Sequence, residues 1–187
     1  MPMRQAPALL LLAALGAAPV VAQNATPSEL RTEYLAHMKY VEDKVVGLAE
    51  AFPADKYAWR PGPGVRSVSE VLMHIASEHY IYLPESIGAT RPADLKMGDG
   101  DAAYANLEKV TDKAEIIRHL KASFAYQRSV LEKSDAAFKT GKVMSFGKEV
   151  TANHVFIDMI ADQHEHLGQL IAYARVNGIV PPWSKGM

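Results

Sequence analysis

The chain has 187 residues, with 20 basic and 21 acidic side chains, seven histidines and no cysteine. The absence of cysteine excludes disulfides, thiolate metal ligands and a cysteine nucleophile. The near balance of charge argues against a nucleic-acid partner or an anionic membrane surface as a partner.

The first 22 residues have the composition of a secretory signal peptide. Arg4 gives a positive start, an apolar run from Ala8 to Val21 follows, and Ala22 ends a stretch that suits cleavage. The apolar run is short and alanine-rich for a membrane span, which makes a retained N-terminal anchor the weaker alternative. We therefore expect a signal peptide at 1–22, a periplasmic or secreted protein, and one mature domain at 23–187 without membrane attachment.

Helical patterns dominate the mature sequence. Apolar residues at helical spacing, with helix-start and helix-stop signals, predict long helices at about 27–52, 67–87, 112–135 and 149–177. Thr26 with Glu29 and Ser67 with Glu70 form two capping boxes. Pro84 is expected to kink or end the second helix.

Two segments between the helices lack a clear helical pattern. Residues 88–110 are longer than most loops, so they form a functional lid or contain a short helix at "DAAYANLEKV". A short extended piece runs from Val143 to Phe146, and no strand is convincing. The pattern predicts an all-α four-helix bundle with a long irregular connection between helices 2 and 3.

The last helix carries a group of polar side chains in the segment "DQHEHLGQL". With 100° per residue, His166 lies inside the apolar arc, Gln163 lies near its centre, and Asp162 and Gln169 lie at one edge. Asp162 and His166 are one turn apart on the same flank, a spacing that suits two ligands of one metal ion. His164 points to nearly the opposite side and cannot share that ion. A solvated aspartate beside a hydrogen-bonded core histidine would give the same pattern.

The second helix offers further candidate ligands. His74 and Glu78 are four residues apart, and His79 follows directly. Both histidines fall within a wide apolar arc, so the helical wheel does not choose between them. Either one, facing Asp162 and His166, would complete the two imidazoles and one carboxylate of a catalytic zinc site or a facial iron site.

Two segments together resemble the DinB-like superfamily: "WRPGPGVRSVSEVLMHIA", Trp59 to Ala76, and "DQHEHLGQLIAYARVNGIVPP", Asp162 to Pro182. The resemblance implies a four-helix bundle of the DinB type, often dimeric. It also implies a divalent metal held by three histidines, one on the second helix and a His-x-x-x-His pair on the last. Some relatives are thiol-dependent transferases or isomerases, although many are cytosolic, unlike a chain with a signal peptide.

Carried over by position, the three ligands implied by the resemblance are His74, Asp162 and His166. Asp162 therefore replaces the first histidine of the final pair. Aspartate can bind zinc, nickel, manganese or iron through oxygen, but the same change would suit a site that has lost its metal.

The leading hypothesis is an exported metal-dependent enzyme that acts on an electrophilic small molecule as a transferase, isomerase or hydrolase. Gln163 or Gln169 would orient a ligand or bind the substrate, and Glu78 would be a general base or a hydrogen-bond partner of a ligand. The alternatives are a non-catalytic bundle that binds a metal or small ligand or dimerises, and a structural bundle with a degenerate site.

Overall fold

The computed structural model describes residues 27–93, 95, 101–134, 141–145, 147–184 and 186, without the side chains of residues 27, 28 and 101. The predicted signal peptide, Thr26 and Phe146 lie outside the described residues. The helices and strands, in chain order, are α1 (Pro27–Ala51), α2 (Val68–Ile87), α3 (Asp101–Leu107), α4 (Lys113–Glu132), β1 (Lys142–Ser145), β2 (Lys148–Thr151) and α5 (Ala152–Val176). Single 3₁₀ turns lie at Ala54–Lys56 and Pro182–Ser184.

The four predicted long helices are confirmed as α1, α2, α4 and α5, and the short helix expected in the irregular connection is α3. The extended piece expected from Val143 is strand β1, but the sequence did not indicate the second strand that pairs with it. β1 and β2 pair antiparallel, with Ser145 opposite Lys148. Gly147 has a φ of +75° in the turn, a conformation that glycine adopts without steric cost. Because residues 148–151 pair with β1, α5 begins at Ala152 instead of near residue 149.

Side-chain caps fix where the helices begin. At the start of α2, the Glu70 backbone N–H donates to Ser67 Oγ at 3.3 Å, and the Ser67 backbone N–H donates to Glu70 Oε2 at 2.6 Å. These two bonds form the predicted capping box and satisfy N–H groups that the helix itself leaves unpaired. Asp112 caps α4 through Glu115, and Thr151 caps α5.

We expect Ser67→Ala to lower the free energy of unfolding by about 1 kcal/mol, because the Glu70 N–H loses its acceptor at a buried helix start. Urea unfolding of the two proteins measures this difference. Ser129→Ala is the matched control, because the Ser129 hydroxyl bonds back to Tyr126 O within α4 and caps no helix. Equal losses for the two variants would contradict the capping argument.

Pro84 lies inside α2 but does not end it. Proline has no N–H, so the Tyr80 carbonyl one turn earlier loses its helical donor. In the structure Arg91 Nε donates to that carbonyl at 3.1 Å. The helix continues to Ile87 and stops at Gly88, which takes the left-handed conformation with a φ of +68°.

Most of α2 is buried, because it packs against α3, α4 and α5. The predicted inner stripe of α4 is buried as well: Ile116, Leu120, Phe124, Gln127 and Leu131. The central position of α2 brings its polar side chains against those of α5. In the described part of the chain, no helix is both long enough and apolar enough to cross a bilayer.

Candidate metal centre

Two pairs, each of one carboxylate and one imidazole, meet where α2 packs on α5. His74 Nε2 lies 3.3 Å from Glu78 Oε1 on α2, and His166 Nε2 lies 3.5 Å from Asp162 Oδ1 on α5. The two imidazole rings contact edge to face, with centroids 4.8 Å apart. The structure therefore brings His74, Asp162 and His166 together, as the sequence predicted, and adds Glu78. Their role as metal ligands stays a prediction.

The four side chains are partly buried. His74 and His166 are 13% and 14% exposed, Glu78 is 20% exposed, and Asp162 is 34% exposed. The imidazoles are therefore largely shielded, while Asp162 is the side chain most open to solvent. Solvent therefore reaches the cluster in the folded protein.

The outer nitrogen of His74 is held by a residue that the sequence did not single out. His74 Nδ1 lies 2.8 Å from Glu108 Oε1, and Arg66 Nε donates to the same oxygen at 3.2 Å. Glu108 directly follows α3, in the irregular connection, where no helical period indicates which side chain faces inward. An acceptor at Nδ1 favours the tautomer with its proton there, which leaves the Nε2 lone pair directed at Glu78.

His166 is held in the same way from its own helix. Its Nδ1 lies 3.1 Å from Gln169 Oε1, and Gln169 Nε2 donates to Tyr173 Oη at 2.7 Å. The Tyr173 hydroxyl in turn donates to the Arg66 carbonyl at 3.0 Å. Both imidazoles thus have Nδ1 bonded to an outer acceptor and Nε2 facing a carboxylate. This is the arrangement that orients histidine ligands at metal sites.

The electrostatics of the cluster favour retained protons. Burial, followed by the negative charge of Asp162, raises the pKa of Glu78 against smaller opposing effects of nearby cationic groups. Burial lowers the pKa of His166, but the hydrogen bond and charge of Asp162 outweigh burial, so the net pKa is raised. Both shifts favour the protonated form of the side chain relative to an isolated glutamate or histidine in water.

The pKa of Glu108 is shifted in the opposite direction, below its usual value. Burial alone would raise its pKa, but the hydrogen bond from His74 and the charge of Arg66 together lower it. Glu108 is therefore ionised at neutral pH. A carboxylate in this position makes the His74 imidazole more basic and fixes its ring.

The structure also separates the two histidines of α2 that the helical wheel could not. His79 is fully buried and turns toward α4, where its Nδ1 lies 3.0 Å from Ser123 Oγ. The Ser123 hydroxyl donates to Leu120 O, so its oxygen accepts a hydrogen bond from the His79 Nδ1–H. Burial lowers the pKa of His79 to about 3, and the side chain is neutral. His74, and not His79, faces the α5 pair.

The two predicted ligand-binding amides both contact protein groups. Gln163 is 1% exposed, and its Nε2 donates to His79 Nε2 at 2.8 Å, while its Oε1 has no protein partner among the described residues. Gln169 links His166 to Tyr173. Their proposed roles toward a ligand or substrate stay predictions.

The donor set fits a divalent metal, although the side chains are not arranged around one. In the part of the chain that the structure describes, no three His, Asp or Glu side chains already surround a common point as ligands do. The inward-facing groups are instead in pairwise contact. Two imidazole nitrogens and two carboxylates, with both Nδ1 atoms anchored, match the chemistry that zinc, nickel, iron or manganese requires.

Comparison with known proteins decides the family. The sequence model of the DinB superfamily matches residues 37–170, which is most of the chain. The chain belongs to the DinB superfamily. The resemblance carried by the two sequence segments is thereby confirmed, and the bundle is a DinB domain.

A solved structure supports the same fold. The crystal structure of a DinB-like protein from Bacillus cereus ATCC 10987 superposes on this DinB domain with a TM-score of 0.64. The two sequences are 17% identical, and the match covers 81% of this chain and 95% of the other. At this identity the likeness shows the fold alone. The comparison with curated proteins gave no match.

Proposed function

We propose that this DinB domain holds one divalent metal ion through His74, Asp162 and His166 and acts on an electrophilic small molecule. The observation that carries the proposal is the convergence of two imidazoles whose Nδ1 atoms are anchored and whose Nε2 atoms face carboxylates. Aspartate in place of the superfamily's histidine keeps a ligating atom at this position, since carboxylate oxygen binds the same ions.

A bound divalent ion would supply Lewis acidity and lower the pKa of a coordinated water or thiol. The side chains would supply the rest of the reaction. Glu78 faces His74, and its raised pKa brings it closer to the neutral range in which a general base works well. Gln169 and Glu108 would keep the two imidazole rings in place, and the Arg66 guanidinium would balance the charge of Glu108.

A non-catalytic bundle is the second candidate, and one observation favours it. Each Nε2 already has a carboxylate within 3.3 to 3.5 Å, so protonated imidazoles can satisfy the cluster without an ion. In that case the four side chains are structural ion pairs, and Asp162 marks a degenerate site.

Turnover separates the two candidates. The untagged domain, loaded in turn with zinc, nickel, iron and manganese, is assayed with 4-nitrophenyl acetate and with chlorodinitrobenzene plus a small thiol. We expect metal-dependent turnover of at least one substrate, lost on chelation and in His166→Gln. His154→Gln on the exposed part of α5 is the control and should retain it. Turnover that survives both chelation and His166→Gln would overturn the proposed function, and metal binding without any turnover would favour the non-catalytic bundle.

Glu108→Gln is expected to weaken metal binding about 10- to 100-fold, because a neutral amide supports the His74 imidazole less well than a carboxylate. A zinc titration against a competing chelator measures the change. Glu149→Gln on the exposed hairpin is the charge-matched control. An affinity equal to that of the unmodified protein would mean that Glu108 does not support a metal ligand.

We also propose that the protein is exported, from the composition of residues 1–22. Mass spectrometry of the protein recovered from its native cells is expected to find the mature N-terminus near residue 23. An intact N-terminal methionine on the recovered protein would contradict cleavage.

A further inference from the structure

A second pair of histidines joins α1 and α5 on the outside of the bundle. His37 Nε2 and His164 Nε2 lie 2.8 Å apart, and the ring centroids are 5.0 Å apart. Both side chains are exposed. His164 is two residues from His166, which directs it to nearly the opposite side of α5. The pair is therefore separate from the candidate centre described above.

The facing nitrogens define a chelating geometry. In a neutral imidazole each nitrogen is either a donor or an acceptor, so one of the two Nε2 atoms carries the proton that joins them. When that proton leaves, both lone pairs point into the same gap between the helices. Zinc–nitrogen bonds of about 2.0–2.1 Å in a tetrahedral shell require two nitrogens about 3.3 Å apart. Exposed side chains can open from 2.8 Å to that separation by small rotations.

The surroundings suit a hydrated cation. The pair opens into a groove of about 470 Å³, which Glu33 and Tyr40 also line. Glu33 is one helical turn before His37, so its carboxylate lies on the same side of α1.

We propose that His37 and His164 form a second, surface site for a divalent transition-metal ion of the zinc type, with water completing its shell beside Glu33. Imidazole is a preferred ligand of zinc, copper and nickel, whereas magnesium and calcium prefer oxygen. Because the two ligands come from α1 and α5, the ion would tie the first and last helices of the bundle together.

Calorimetric titration of the untagged, metal-free protein with zinc tests this site. We expect one equivalent of zinc to bind at this surface site. His37→Gln or His164→Gln should lower the zinc affinity of the site about tenfold or more, and His166→Gln should leave that affinity unchanged. His154→Gln is the matched control, because His154 is also exposed on α5 but is paired with Asp158 on its own helix. Zinc should also raise the melting temperature through this site, and His164→Gln should remove that part of the rise.

The result that overturns the surface site is an unchanged zinc isotherm in both His37→Gln and His164→Gln. The melting temperature of each variant without zinc verifies that the fold is intact. The proposed function is tested separately by His166→Gln. If His166→Gln does not change zinc binding while His37→Gln and His164→Gln do, the proposed function fails and the surface site stands.

Discussion

Replacing His166 by glutamine is expected to lower the affinity of the DinB domain for the metal ion proposed at His74, Asp162 and His166 by more than about a hundredfold. Loss of an outer partner of a ligand already costs about 10- to 100-fold, and this variant removes a ligating nitrogen itself. Glutamine keeps a polar side chain of similar reach, so the bundle should still fold. Zinc titration against a competing chelator between pH 6 and pH 8 measures the affinity.

The same titration has an expected pH dependence. Because the folded-state pKa of His166 is raised above 6.5, the stability that it contributes is fully present below 6.5 and is lost as pH rises through the folded pKa. An incoming ion must displace that proton, because His166 binds a metal only in its neutral form. Metal affinity should therefore increase with pH in the unmodified protein and increase less steeply in His166→Gln. A slope that the substitution does not change would show that the displaced proton is not on His166.

His79→Gln is expected to destabilise the protein by about 1–3 kcal/mol at pH 7, because it disrupts the buried hydrogen bonds to Ser123 and Gln163. The ring also contacts Phe124 edge to face, with centroids 4.7 Å apart, and that packing is lost as well. Urea unfolding at pH 7 measures the difference in the free energy of unfolding. His154→Gln, at an exposed position of α5, should be close to neutral.

Lowering the pH should make His79→Gln more stable to unfolding than the unmodified protein. The folded-state pKa of His79 is depressed to about 3, so its stabilising effect is present above the unfolded value of 6.5 and is lost as pH falls from 6.5 toward 3. Glutamine does not titrate and escapes this loss. We therefore expect the difference measured at pH 7 to shrink as the pH falls below 6.5 and to change sign between about pH 6 and pH 4. A constant difference over this range would contradict the burial of a neutral His79.

The sequence predicted the polar face of α5 well because α5 packs on one side only. On such a helix the apolar arc identifies the buried face, so the sequence places Gln163 near the centre of the arc, His166 inside it and His164 outside. In the structure Gln163 is buried, His166 is partly buried and His164 is exposed. The surface pairing of His164 with His37 depends on how α1 and α5 pack, which neither helix specifies alone.

α2 shows why part of the candidate centre could not be predicted. This helix is buried on most sides, so the apolar pattern extends almost all round and does not distinguish His74 from His79. Only the positions of α4 and α5 separate them. The contact of Glu108 with His74 was not predicted for a different reason. Glu108 lies in an irregular connection whose path is set by tertiary packing. The extended piece from Val143 was predicted, but strand β2 was not, because a four-residue strand carries too little alternation to outweigh a neighbouring helical pattern.

The DinB domain is proposed to hold a metal ion through His74 on α2 and through Asp162 and His166 on α5. Elemental analysis of the untagged protein after dialysis into metal-free buffer tests this proposal most directly, with His164→Gln and His166→Gln analysed in parallel. We expect about one metal equivalent per chain in His164→Gln, which lacks the surface pair, and about one equivalent less in His166→Gln than in the unmodified protein. Equal metal contents in His166→Gln and the unmodified protein, or no retained metal in any of the three proteins after loading with zinc, nickel, iron or manganese, would contradict this expectation.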